Sequence, residues 1–165
     1  MKAVRRVVFL LCVLLLGAPI VSAQSATTTD VYSQVTSLVN KYQKEKGVKS
    51  LMCDGGMMLK TVKMMLRKDF GKEFVDGIKA FAILFCDDEK GVVANKVAGD
   101  VEQIAAQLQQ VNVDGRMKPE TQARGFVRLT EGGDVLTDLL IIIDKPSPKI
   151  VYFNGEFKPD KIDKQ

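Results

Sequence analysis

Three strand-like runs joined by two strong turn signals close this chain, and they limit its fold more than any other feature. The runs are Gln122 to Thr130, Val135 to Asp144 and Lys149 to Phe157. Glu131-Gly132-Gly133-Asp134 separates the first pair and Lys145-Pro146-Ser147-Pro148 the second. Parallel neighbours need a crossover of a dozen or more residues, which these turns do not provide. The C-terminal third is therefore predicted to be an antiparallel meander.

Upstream the pattern changes to helical spacing. Val31, Val35, Leu38, Val39 and Tyr42 mark one face of a helix from about Asp30 to Lys46, capped by Thr29 or Asp30 and stopped at Gly47. Val48 to Cys53 reads as a short strand. A second helix follows from Met57 to about Lys68, with Met58, Val62, Met65 and Leu66 inward and Lys60, Lys63, Arg67 and Lys68 on the wet side. Ile78 to Cys86 is apolar on both faces, as a central strand requires. A third helix runs from Val92 to about Gln110, its stripe formed by Val93, Val97, Val101, Ile104, Ala105 and Leu108. The order αβαβαβββ predicts a single α/β (α+β-like) domain over 30–157, with helices packed on a five-stranded mixed sheet. The two upstream strands, joined by the second helix, could run parallel in such a sheet.

Residues 1–23 read as a cleavable export signal. Lys2, Arg5 and Arg6 precede an apolar run from Val7 to Leu16; Gly17 and Pro19 break it, and Val21-Ser22-Ala23 places small residues where a signal peptidase cuts. The run is about half the ~20 residues that a spanning helix needs, so no transmembrane helix is expected in the mature chain. Leu11 stands before Cys12 where a lipobox needs a small residue, which argues against lipidation. The expected product is periplasmic or secreted. It begins at Gln24, with a polar leader over 24–29 and a charged tail over 158–165.

Cleavage changes the charge argument. The 24 Lys and Arg fall by three to 21 against 20 Asp and Glu, so the net charge drops from +4 to +1. No global field remains to draw in nucleic acid. The cysteines drop from three to two, and an exported chain meets an oxidising compartment. Cys53 and Cys86 then form the one possible pair, at the same end of the sheet if their strands run parallel. A bond closing that loop of about 33 residues would stabilise by ~3–4 kcal/mol through lost chain entropy. Two separate buried thiols are the alternative.

Several stretches taken together have the look of one family. They include Leu38-Val39-Asn40-Lys41-Tyr42, Gly47-Val48-Lys49-Ser50-Leu51 and Gly56-Met57-Met58-Leu59 with its methionine-rich helix. Ile78-Lys79-Ala80-Phe81-Ala82-Ile83-Leu84, Leu139-Leu140-Ile141-Ile142-Ile143-Asp144 and Ile150-Val151-Tyr152-Phe153-Asn154-Gly155-Glu156-Phe157 complete the set. Across nearly the whole mature chain this resembles the domain-of-unknown-function family numbered 4252, small exported proteins of Bacteroidota. The resemblance implies an envelope α/β domain with no assigned activity and no catalytic residues. It also implies lipoprotein relatives, from which this chain departs by lacking a lipobox.

The absence of histidine from all 165 residues excludes serine–histidine triads, cysteine–histidine dyads and imidazole-ligated metals. No cofactor or metal is expected. Asp69-Phe70-Gly71 lacks the His-Arg-Asp of a kinase, and Asp54-Gly55-Gly56 lacks P-loop spacing. Asp87-Asp88-Glu89 reads as acids offsetting the dipole of the third helix, with weak calcium binding as the alternative. The cluster Met52, Met57, Met58, Met64 and Met65 could be a soft-metal or adaptable binding surface, but helical spacing places Met58 and Met65 in the core and leaves only Met57 and Met64 open.

The expected role is a non-enzymatic binding or accessory module that contacts another envelope protein. Its expected face combines Arg124, Phe126 and Arg128 with Leu139, which pairing through a Gly132-Gly133 turn would bring alongside. Burial of that face by the first helix is the competing reading. Two alternative functions remain: a histidine-free hydrolase using Asp54 and Asp87, and a carrier for a small apolar ligand beneath the methionine helix.

Overall fold

The computed structural model describes residues 30–88, 91–111, 122–145 and 148–157. The predicted signal, leader and tail lie outside the described residues. Among the described residues three helices and six strands follow one another as α1 (Val31–Tyr42), β1 (Val48–Cys53), α2 (Gly56–Gly77), β2 (Ile78–Cys86), α3 (Val92–Ala105), β3 (Gln109–Val111), β4 (Gln122–Leu129), β5 (Leu136–Lys145) and β6 (Lys149–Phe157). The strands form one open antiparallel sheet in the order β1-β2-β6-β5-β4-β3. The α+β character and the C-terminal meander are as predicted. The sheet has six strands instead of five, and its described pairings are all antiparallel instead of mixed.

The course of α2 explains the change of direction. β1 ends at Cys53, opposite Phe81 near the start of β2, so α2 leaves and re-enters the sheet at the same end. A straight crossover helix would have delivered the chain to the far end. Instead α2 bends at Gly71, whose φ of 76° and ψ of 163° belong to a region that glycine alone occupies without strain. The Lys63 ammonium in the first limb donates to the Asp76 carbonyl in the second, at 3.2 Å.

The third helix stops earlier than its periodicity suggests. After Ala105 the chain tightens through bonds from Gln107 N to the Ile104 carbonyl and from Leu108 N to the Ala105 carbonyl. Gln109–Val111 then pairs with β4 as the missing strand, so pairing overrides local helical preference here. The chain crosses from β2 to the far edge of the sheet on α3. The meander returns it strand by strand until β6 lies beside β2.

Apolar side chains fill both faces of the sheet. On one face α1 and α3 pack Val31, Val35, Leu38, Val39, Tyr42, Val97, Val101 and Ile104 over Ala82, Leu84, Leu140, Ile142 and Tyr152. The α1 stripe is the one read from sequence, and Asp30 caps the helix by accepting from Tyr32 N at 3.1 Å. On the other face α2 contributes Leu59, Phe74 and Val75 over Phe81, Leu139, Ile141, Val151, Phe153 and Phe157. Phe74 stacks on Phe157 with ring centroids 4.8 Å apart and meets Phe153 at 5.9 Å.

The antiparallel pairing separates the two cysteines. Cys86 lies opposite Val48 and Cys53 opposite Phe81, five residues apart along β2, or ~17 Å. Cys53 also joins the α2 core and Cys86 the α1/α3 core, on opposite faces. A disulfide needs Cα atoms within about 7 Å, so the predicted Cys53–Cys86 bond does not form; both are free and buried. Burial, reinforced by Asp88, pushes the Cys86 thiol up to about 11, and burial then Asp54 raises Cys53. Both thiols therefore stay protonated at neutral pH. Iodoacetamide without reductant is expected to spare Cys53 and Cys86 in the folded chain and to modify both in urea. A requirement for reductant in urea would restore the disulfide.

Candidate functional site

The face proposed from sequence around Arg124, Phe126 and Arg128 is occupied. Phe126 is buried in the cluster made by α1 and α3. Arg124 points at α3, with NH1 2.6 Å from Glu102, while its Nε and NH2 hold the two carboxylate oxygens of Asp144 at 3.2 and 3.3 Å. Leu139 does not share this face: it pairs with Val127 and packs beneath α2. The reason is a bulge at Thr137. Arg128 pairs with Asp138 and Leu129 with Leu136, leaving Thr137 as an extra residue that shifts the register by one. Such a slip exchanges the two faces of everything beyond it. Asp138, Leu140 and Ile142 thus lie beside Arg128, Phe126 and Arg124, on the face where Leu139 was expected.

The shift creates a buried polar cluster that sequence reading missed. Asp138 accepts from the Tyr152 hydroxyl, from Asn154 Nδ2 at 3.1 Å and from Thr137 Oγ1 at 3.0 Å, with Arg128 Nε 4.0 Å away. Asp138 is 4% exposed and Tyr152 fully buried. Burial, then the charge and hydrogen bond of Asp138, raise the pKa of Tyr152, so its hydroxyl keeps its proton and serves as a donor. The carboxylate is engaged from three sides, and solvent hardly reaches it. This arrangement holds β5 against β6 rather than meeting a ligand.

The carboxylate pair required by the hydrolase reading is not assembled. Asp54 follows Cys53 and Asp87 follows Cys86, at opposite ends of the β1–β2 ladder. Asp54 accepts from the Tyr32 hydroxyl at 2.8 Å. Asp88 turns to α3, where Val93 N and Ala94 N donate to its two oxygens at 2.9 and 3.2 Å. Its capping contact, worth about 1 kcal/mol, matches the helix-dipole reading of the acidic run. Glu89 lies outside the described residues. No group of three or more Cys, Asp or Glu gathers as metal ligands among the described residues.

The helix α2 presents the opposite case, an apolar surface without cover. Its inner stripe is Leu59, Val62 and Leu66. Met58 and Met65, expected in the core, are 53% and 58% exposed; Met57 and Met64 reach 83% and 71%. Met52 is separate, half-buried on the α1/α3 side of the sheet. The outer surface of α2 has two adjoining stripes at helical spacing. One is Met57, Lys60, Met64 and Arg67; the other is Met58, Thr61 and Met65. Thr61 satisfies its hydroxyl on the Met57 carbonyl at 3.0 Å, so it adds no unmet polar demand to the surface. Leu51, 36% exposed, lies on the same side of the sheet in edge strand β1, because it shares the face of Cys53 two residues on.

Comparison with protein-family models, with curated proteins and with solved structures returns no match. The chemistry of α2 is therefore read from its own residues. Equivalent methionines within a stripe are seven residues apart, or about 10.5 Å along the axis. That spacing does not gather three thioethers around one soft ion. Exposed unbranched thioether side chains instead form a deformable apolar surface, able to fit irregular partners. Full burial of each would stabilise the fold by roughly 1.5–3 kcal/mol, so folding alone does not account for four of them outside.

Proposed function

We propose that this chain is an exported, non-enzymatic binding module of the cell envelope, and that its contact surface is the methionine face of α2. The single observation carrying this reading is the exposure of Met57, Met58, Met64 and Met65 on one arc of a helix whose opposite arc is anchored in the core. Contiguous exposed apolar surface marks interaction sites, and methionine is enriched in the buried centre of interfaces. The export signal expected at 1–23 supports the envelope setting. No helix among the described residues is long and apolar enough to cross a membrane.

The test places a photoreactive amino acid at 57, at 64, or at 131 in a turn remote from α2 along the sequence, and irradiates intact producing cells. Positions 57 and 64 are expected to yield the same defined protein adduct, with none from position 131. Equal adducts from all three positions, or none from 57 and 64, would reject the α2 face.

A further inference from the structure

Resting on that reading of α2, we infer that the occupant of the methionine face is an acidic amphipathic segment of another protein, with an apolar stripe edged by carboxylates. The charge beside the methionines carries the inference. Between Gly56 and Arg67 there are three cations, Lys60, Lys63 and Arg67, and no Asp or Glu. Lys63 is turned to the Asp76 carbonyl of the second limb. Lys60 and Arg67 are exposed, and among the described residues no carboxylate pairs with either. Lys60 follows Met57 by three residues and precedes Met64 by four; Arg67 follows Met64 by three. Both cations thus adjoin the methionines within one stripe.

The arrangement discriminates among occupants. A second copy docked through the same face would set two such segments against each other, each with Lys60 and Arg67 and neither with an acid to answer them. Helices that lie in a lipid interface anchor themselves with bulky Trp, Phe or Leu and spread cations over a broad polar face. Here the described outward apolar residues of the first limb are methionines, and the cations edge them on one side. A one-sided basic edge beside a deformable apolar surface orients a partner helix and selects carboxylates on its facing edge.

The test pans a displayed library of helical peptides about four turns long on the chain, with counter-selection on the M57S/M64S variant. Recovered peptides are expected to combine an apolar stripe with more Asp and Glu than Lys and Arg. They should lose at least about tenfold in affinity for M57S/M64S and a similar factor for K60E/R67E. Both variants alter exposed side chains and should unfold at the same urea concentration as the parent. Binders that discriminate against M57S/M64S but are indifferent to K60E/R67E would overturn the acidic partner while leaving the methionine face intact. Failure to recover any binder sensitive to M57S/M64S would sink both. Two further measurements use the same variant. Binding of phosphatidylcholine vesicles containing phosphatidylglycerol, abolished in M57S/M64S, would assign the face to lipid. A dimer dissociated by M57S/M64S would assign it to a second copy.

Discussion

Replacing Gly155 with alanine is expected to destabilise the domain by at least about 3 kcal/mol, a large fraction of a small domain's total stability. A Cβ at Gly155 would lie 2.0 Å from the Gly77 carbonyl oxygen. One at Gly77 would lie 2.2 Å from the Glu156 carbonyl oxygen. Neither contact can be relieved by rotating a side chain, because both partners are backbone. The crossing occurs where α2 hands over to β2: Ile78 pairs with Gly155, and the ladder is irregular between Ile78 and Ala80. The second limb of α2 thus reaches the sheet through a backbone approach that only two glycines permit. Gly77→Ala should cost a similar amount, and the double variant less than the sum, since both substitutions relieve themselves by the same displacement. Gly132→Ala is the control. Its Cβ would meet only the Asp134 carboxylate at 3.4 Å, so a change within about 0.5 kcal/mol is expected. Urea denaturation of the four variants decides the matter. A Gly155→Ala midpoint matching the parent would disprove the crossing.

Truncating Asp138 is the second large effect. Asp138→Ala should cost about 3–5 kcal/mol, because it strands the fully buried Tyr152 hydroxyl and removes an acceptor from Asn154 and Thr137. Tyr152→Phe should cost less, about 1–2 kcal/mol, since the carboxylate keeps two donors and nearby Arg128. In the double variant the two losses overlap, and a coupling of about 1–3 kcal/mol is expected from the cycle measured in urea. Additive losses would mean that the two groups do not share a hydrogen bond. A cost for Asp138→Ala below about 0.5 kcal/mol would mean that the cluster is wet.

Much of the architecture was legible from residues alone, and the misreadings share one origin. The α1 stripe and the meander were read correctly because each depends on contacts within one element or across one short turn. The face of β4 was misassigned because Gly132-Gly133 announces a turn but not the bulge at Thr137. That single extra residue moves Leu139 beneath α2 and brings Asp138 to Tyr152. Met58 and Met65 were misassigned for a related reason. From Met57 to Leu66 apolar residues occupy several arcs of the wheel, so periodicity does not say which arc is inside. Packing chose Leu59, Val62 and Leu66, and turned the methionines outward.

Local pattern thus determined which segments are helix or strand, apart from β3 and the second limb of α2, together with the antiparallel course of the last third and the absence of imidazole chemistry. Direction, register and rotation about a helix axis belonged to the tertiary structure. A positive-φ glycine at 71 bends α2, β1 and β2 run antiparallel, and Cys53 and Cys86 part to opposite ends of their ladder. Direction and register each turn on one residue, and the rotation of α2 on packing against the sheet. Periodicity, which sums over neighbours, is blind to them.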